Sequence, residues 1–298
     1  MRFVTFFGGA GVPVAGVLLG NERVADLSHP SCLGLLDGAQ PAVEAFVEQG
    51  LEAWTKRIGQ VRFDADAILP LSEIRLCAPL RPGKIVGAAY NFTDAIAERK
   101  MTAPIEPVIF VRAGSTVIGP GEAIEVPPNI GHVGYEAELA VVIGRRAVAV
   151  KRDDAMQHIS GYTIHNDVSG SGLIRKDGGN FFRGKNLRAS APLGPWLLTP
   201  DEVPDPYAVD IRLEMGGRLL QNGSTSTMLF NIAELIEWIS IRMPLEPGDV
   251  IATGTPAGVA AMHQPEAWLL PGATVSIELS GMGRLTNPVR EGPYYDET

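Results

Sequence analysis

Cysteine is nearly absent from this chain: Cys32 and Cys77 are the only two in 298 residues, far apart and not in a CxxC pair. That usage excludes a thiolate zinc cluster and suits a reducing compartment, so a cytoplasmic location is expected. Positive charge is also scarce. Lys and Arg total 25 against 34 Asp and Glu, giving a net charge of −9 and a pI near 5.1. A surface of that sign repels phosphate backbones and argues against nucleic acid as the main partner. It leaves a small anionic substrate open, because local cations or a metal reverse the sign inside a pocket. Long apolar runs are missing as well. The longest uncharged stretch, Phe3–Gly20, is broken by Pro13 and by Gly8, Gly9, Gly11, Gly16 and Gly20. A membrane span needs about 20 consecutive apolar residues, so no membrane partner is expected. Internal repeats, heptads and low-complexity tracts are absent too.

What the chain has is an ordinary globular composition, 45% hydrophobic and 20% charged, with enough apolar residues for a sizeable core. Its opening reads as a β-meander: Arg2–Phe7, a Gly8-Gly9-Ala10-Gly11 turn, Val12–Leu19, a Gly20-Asn21 turn and Arg23–Leu27. Residues 41–58 predict a helix, with Val43, Phe46, Val47, Leu51, Trp54 and Ile58 on one face. Pro70, Pro79 and Pro82-Gly83 then punctuate a linker. Beyond it, strands are expected at Lys84–Ala88, Pro107–Val111, Leu139–Ile143, Tyr162–His165, Val209–Met215, Val250–Thr253 and Thr274–Leu279. One helix, Asn231–Met243, carries a capping-box signal in Asn231 and Glu234 and ends before Pro244. The pattern predicts a β-rich α+β fold, with a small N-terminal α+β domain (residues 1–75) and a second domain (residues 76–298).

The segment richest in chemistry is Gly134-Tyr-Glu-Ala-Glu-Leu-Ala-Val-Val-Ile-Gly144. Glu136 and Glu138 are one residue apart at the start of a strand that reads as buried, so both carboxylates project to one side. Two adjacent anions beside a core call for a cation, and a hard divalent ion with oxygen ligands is the natural one. The plainer alternative is a strand with two solvated glutamates. A second apolar strand, Ile159–Val168, ends in Asn166-Asp167. Asp167 can complete a three-carboxylate site, or serve as a turn residue or helix cap.

Several further motifs lie in order along the chain: Gly161-Tyr-Thr-Ile-His-Asn-Asp-Val-Ser169, Arg183-Gly-Lys185, Ala191-Pro-Leu-Gly-Pro-Trp196, Leu245-Glu-Pro-Gly-Asp-Val-Ile251 and Thr253-Gly-Thr-Pro-Ala-Gly-Val259. Together with the Glu136/Glu138 segment they resemble the fumarylacetoacetate hydrolase family through most of residues 84–290. The resemblance implies a mixed β-sandwich and β-roll catalytic domain and a homodimer. It implies Mg2+ or Mn2+ held by Glu136, Glu138 and Asp167, and a 2-oxo acid or acylpyruvate as the small-molecule substrate. By the same resemblance Lys185 places positive charge near the substrate, and Thr255 offers a hydroxyl or backbone donor. Without it, Lys185 reads as a solvated lysine and Thr255 as a turn residue.

Two departures from the family pattern bear on the chemistry. Hydrolytic members carry Asn-Tyr-x-x-His-x-x-Glu, whose His and Glu activate water. Here the stretch is Asn91-Phe-Thr-Asp-Ala-Ile-Ala-Glu98, so Glu98 is present but Ala95 stands at the histidine position. Alanine cannot accept a proton. Many members also read Asn-Asp-Val-Ser/Thr-Ala-Arg-Asp-x-Gln, where this chain places Ser171, Gly172 and Ile174 at the Arg, Asp and Gln positions. His165 and His132 lie close enough in sequence to approach the site, each with an ordinary structural role as the alternative. The expected function is a divalent-metal-dependent hydrolase that cleaves a C–C bond of an acylpyruvate-like 2-oxo acid through an enolate, with Glu98 left as the base. The alternatives are decarboxylation, tautomerisation or isomerisation, or hydration of the same kind of enolate, and a non-catalytic metal-binding homologue.

Overall fold

The computed structural model describes the whole chain except Ala10, Ala39 and residues 296–298. The expected turn at residues 8–11 includes Ala10 and so lies partly outside the described residues. Strands Arg2–Phe7, Pro13–Leu19 and Arg23–Asp26 form the expected meander. The predicted helix over 41–58 is two helices, Val43–Glu48 and Leu51–Ile58. The break falls at Gly50, whose φ of 98° is a left-handed conformation that other residues adopt only with strain. The apolar periodicity ran through the break because both short helices bury the same side. Helix Ile232–Arg242 has both arms of its capping box, Asn231 accepting from Glu234 N and Glu234 accepting from Asn231 N.

An 11-stranded sheet dominates the molecule. Its centre is Ala137–Ile143, antiparallel to Ile159–Asn166 on one side and to Val250–Ala252 on the other. Outward from there Ile159–Asn166 pairs with Ala191–Leu198, which pairs with Arg2–Phe7, so the N-terminal meander extends the same sheet. On the other flank Val250–Ala252 runs parallel to Lys84–Ala89, which pairs with Val108–Ala113. A separate five-stranded sheet contains Asp210–Met215, Arg218–Ser224 and the C-terminal strands Thr274–Leu279 and Gly283–Glu291.

Every residue of Ala137–Ile143 is buried, because the sheet is covered on both faces. Leu139, Val141 and Ile143 join the main core with Ile236, Leu235 and Ile277. Ala140 and Val142 point the other way, into the cluster that Phe46, Trp54 and Phe3 build from the N-terminal segment. A strand committed to two cores cannot slip by one residue without exchanging its faces. Register is therefore fixed at the place where the carboxylates sit. No helix among the described residues is long and apolar enough to cross a membrane.

Candidate metal centre and its cavity

The strand register brings the acidic residues together. Glu138 lies opposite His165 and Ala137 opposite Asn166. Directly opposed residues share a sheet face, and alternation carries that face to Glu136 on one strand and Asp167 on the other. Although Glu136 precedes the strand, it is pinned in place. Its N–H donates to Asn166 Oδ1 at 3.1 Å, and its carbonyl accepts from Asp167 N at 2.9 Å. The result is one ligand oxygen each from Glu136, Glu138 and Asp167 within 4.8 Å of one another.

Two buried cations enter this cluster. Lys185 Nζ lies 2.5 Å from both Glu136 Oε2 and Asp167 Oδ2, and 5.0 Å from the centre of the Phe110 ring. Close backbone packing delivers it. A Cβ on Gly184 would meet Ile174 Cγ1 at 2.4 Å and Gly170 O at 2.7 Å, so the short helix Phe182–Lys185 sits this near Asp167 only because that residue is glycine. Arg112 pairs with Asp167 from the opposite side and donates to Ser190 O at 2.6 Å. Sequence reasoning missed Arg112. Its signal was the period-2 pattern of Val108–Ala113, which puts Arg112 on the same inward face as Phe110.

The electrostatics follow from burial and pairing. Burial, then the charges of Asp167 and Glu136, push the Glu138 carboxyl well above the usual carboxylate range. Its one backbone donor is Gly254 N at 2.9 Å. Burial opposes ionisation of Asp167 too, but Lys185 and Arg112 outweigh it and hold that carboxyl well below its ordinary value. Lys185 is held as an ammonium: burial works against the charge, and Asp167 and Glu136 overcome it. His165 is wholly buried, and desolvation keeps its ring neutral. Its Nε2 has no hydrogen-bond partner and lies 3.7 Å from Asp167 Oδ1, so it supports the site from behind. Three converging carboxylate oxygens, two of them on nearly inaccessible residues, make a hard donor set that fits Mg2+ or Mn2+.

The carboxylates open into a cavity of about 270 Å³. Ala95 and Arg99 from helix Thr93–Glu98 and its C-cap, Ser171 and Ile174 from helix Ser171–Lys176, Thr255 and Trp268 are among its walls. Thr255 is close to the ligands, but its hydroxyl hydrogen is committed to Ala137 O at 2.9 Å and its oxygen accepts from Gln221 Nε2 at 2.8 Å. Gln221, which sequence reasoning also missed, accepts from Ala137 N at 2.9 Å and so clamps the residue between the two glutamates. Thr255 thus acts on the site through the backbone. Glu98 is exposed, accepts from Gly258 N at 2.9 Å and is not in the cavity wall. Ala95, in contrast, does line it. His132 lies outside the carboxylate cluster and stacks on Trp268, with ring centres 4.5 Å apart.

Residues 84–290 match the family profile described as Fumarylacetoacetate (FAA) hydrolase C-terminal. The chain is 36% identical over 259 residues to "Oxaloacetate tautomerase fahd2, mitochondrial" of Xenopus laevis, covering 85% of this chain and 81% of that one. A crystal structure of 5-carboxymethyl-2-hydroxymuconate delta-isomerase from Mycobacterium smegmatis superposes with a TM-score of 0.77 at 33% identity, covering 98% of this chain and 100% of the other. Maleylpyruvate hydrolase from Sphingobium sp. SYK-6, in complex with manganese(II) and pyruvate, gives a TM-score of 0.77 at 28% identity, with 98% and 100% covered.

Proposed function

The chain belongs to the fumarylacetoacetate hydrolase family, and on that footing we propose that it interconverts the keto and enol forms of a 2-oxo acid with a divalent cation bound by Glu136, Glu138 and Asp167. A bound Mg2+ or Mn2+ would offset the negative charge that develops on the 2-oxo oxygen as the neighbouring carbon loses its proton. Lys185 supplies a second fixed positive charge and is a buried proton donor in contact with both Glu136 and Asp167 on the cavity wall. Asp167 is oriented by Arg112, and Glu136 by Asn166.

The observation that carries this reading is at Ala95. Hydrolysis of a C–C bond needs a base that activates water. The wall position where hydrolytic members carry histidine holds a methyl group, and Glu98 is hydrogen-bonded to Gly258 outside the wall. Tautomerisation moves a proton between carbon and oxygen of one molecule and needs no attacking water. The similarity to an oxaloacetate tautomerase and a delta-isomerase supports the same choice.

The test is a product analysis. Protein loaded with Mg2+ or Mn2+ is given enol-form oxaloacetate and, separately, an acylpyruvate. The proposal expects accelerated decay of the enol with no mass change and no cleavage of the acylpyruvate. Cleavage into two acids with addition of water would replace it with the hydrolase reading, and loss of CO2 with a decarboxylase.

A further inference from the structure

Three cations line the cavity, and Lys185 is already engaged by Glu136 and Asp167. Arg112 stands behind the wall, held by Asp167 and Ser190. The positions where related chains place Arg and Gln beside the substrate are Ser171 and Ile174, both in the wall and neither carrying a positive charge for a carboxylate. Two arginines remain on the lining, Arg99 and Arg175.

Arg99 stands out by its setting. It follows Ala95 by four residues, so the helical repeat places both on the cavity side. Its side chain is 22% exposed, and its contact to Glu136 Oε1 is 3.9 Å, an ion pair longer than a hydrogen bond. The guanidinium sits over the Tyr90 ring at 5.6 Å. Tyr90 itself has φ 56°, a left-handed conformation that is costly for a bulky residue and recurs where a site demands it. A planar fork held over an aromatic ring, beside the metal ligands and with donors to spare, is suited to a carboxylate. Arg175 is exposed, where solvent and salt screen its charge.

We infer that Arg99 receives a second carboxylate of the substrate, at the end remote from the 2-oxo acid group, so that the site selects dicarboxylic 2-oxo acids over monocarboxylic ones. This rests on the 2-oxo acid reading above. Arg99 thereby takes over, from a different element, the recognition that the segment after Asp167 no longer provides.

Titration calorimetry of the Mg2+-loaded protein tests it with two four-carbon acids. Oxaloacetate carries the second carboxylate and 2-oxobutyrate lacks it. Wild type is expected to bind oxaloacetate about 10- to 100-fold more tightly, the range for a charge-assisted hydrogen-bonded pair. Arg99→Met should erase that difference and leave 2-oxobutyrate binding where it was. Arg99→Lys should recover part of it, as a point charge without the fork. Arg175→Met should keep the preference. The inference is overturned if the preference survives Arg99→Met, if Arg99→Met weakens both acids alike, or if the preference is lost in Arg175→Met instead. Equal binding of both acids by wild type sinks only the role of Arg99. Failure to bind either acid sinks the 2-oxo acid reading and this inference with it.

Discussion

Arg112 and Asp167 form an ion pair sealed from solvent, with 0% and 1% of their side chains exposed. The same guanidinium is anchored to Ser190 through its carbonyl and its hydroxyl, at 2.6 and 2.7 Å. A carboxylate of the candidate metal site is thereby tied to the loop entering strand Ala191–Leu198, and its orientation is set by the protein alone.

Breaking such a pair strands a charge where nothing solvates it. Arg112→Met is expected to cost about 3–5 kcal/mol of stability and to weaken divalent-ion binding by about 10- to 100-fold. Arg112→Lys should recover part of both. Urea denaturation and calorimetric metal titration measure the two effects. A variant as stable as wild type would contradict the arrangement.

Mg2+ or Mn2+ should raise the melting temperature, by about 2.7 kcal/mol of added stability at 100 times the Kd. Glu138→Gln should abolish that response. It should also make the metal-free protein more stable than metal-free wild type at neutral pH. The sign follows because the Glu138 carboxyl is raised in the fold, so its ionised form opposes folding there. A metal-free Glu138→Gln protein less stable than wild type would show that the three anions are not in conflict.

Ala95→His places an imidazole in the cavity wall. Water-dependent cleavage of an acylpyruvate is expected to rise about 100-fold above the wild-type background, the lower end for a positioned general base. Metal affinity should stay the same, since Ala95 touches none of the ligands' hydrogen bonds. Unchanged hydrolysis would mean that more than the base is missing.

The segment after Asp167 is locked in its departure from the family pattern. A Cβ at Gly172 would stand 2.2 Å from Ile130 O, so an aspartate there requires the backbone to move. Gly172→Ala should cost about 1–3 kcal/mol, as overpacking does, read from denaturant midpoints. Gly178, where φ is 65° but nothing lies within 4 Å, is the contrasting site: its alanine variant pays only for conformation.

Glu125 gives the protein an acid limit apart from the metal site. Burial would raise its carboxyl, but hydrogen bonds from Arg188 at 2.5 Å and Arg290 at 2.6 Å hold it below the ordinary glutamate range. A lowered folded value means the contribution is complete above about pH 4.5 and disappears as pH falls through the folded value. Both arginines are mostly exposed, so the contribution is about 1 kcal/mol. Glu125→Gln should flatten this part of the acid limb and leave a smaller loss of stability at neutral pH, followed by thermal melts across pH 3–7.

Local pattern carried much of this. The meander strands, the capped helix Ile232–Arg242 and the carboxylates of Glu136, Glu138 and Asp167 are legible in the chain because period, turn chemistry and spacing are properties of neighbouring residues. Ala95 and the Ser171–Ile174 segment are legible in the same way, as residue types that cannot do the chemistry their family neighbours do. Other features lay beyond that reach. The helix over 41–58 is broken by a backbone angle at Gly50 that apolar periodicity does not encode.

Which cations serve which anions was decided only by tertiary structure. Arg112 lies 55 and Lys185 18 positions from Asp167 along the chain, and the three meet through the sheet register and the close Gly170–Gly184 contact. Glu98 and Thr255 stand where the motifs put them, yet their hydrogen bonds go to Gly258 and Ala137, a choice set by the turn at Gly254–Gly258. The sequence by itself determined the three candidate carboxylates, since their charge and alternation are local. The fold decided how those ligands are neutralised and that Arg99 and Ala95 face the same cavity, because burial and distance exist only once the chain has closed on itself.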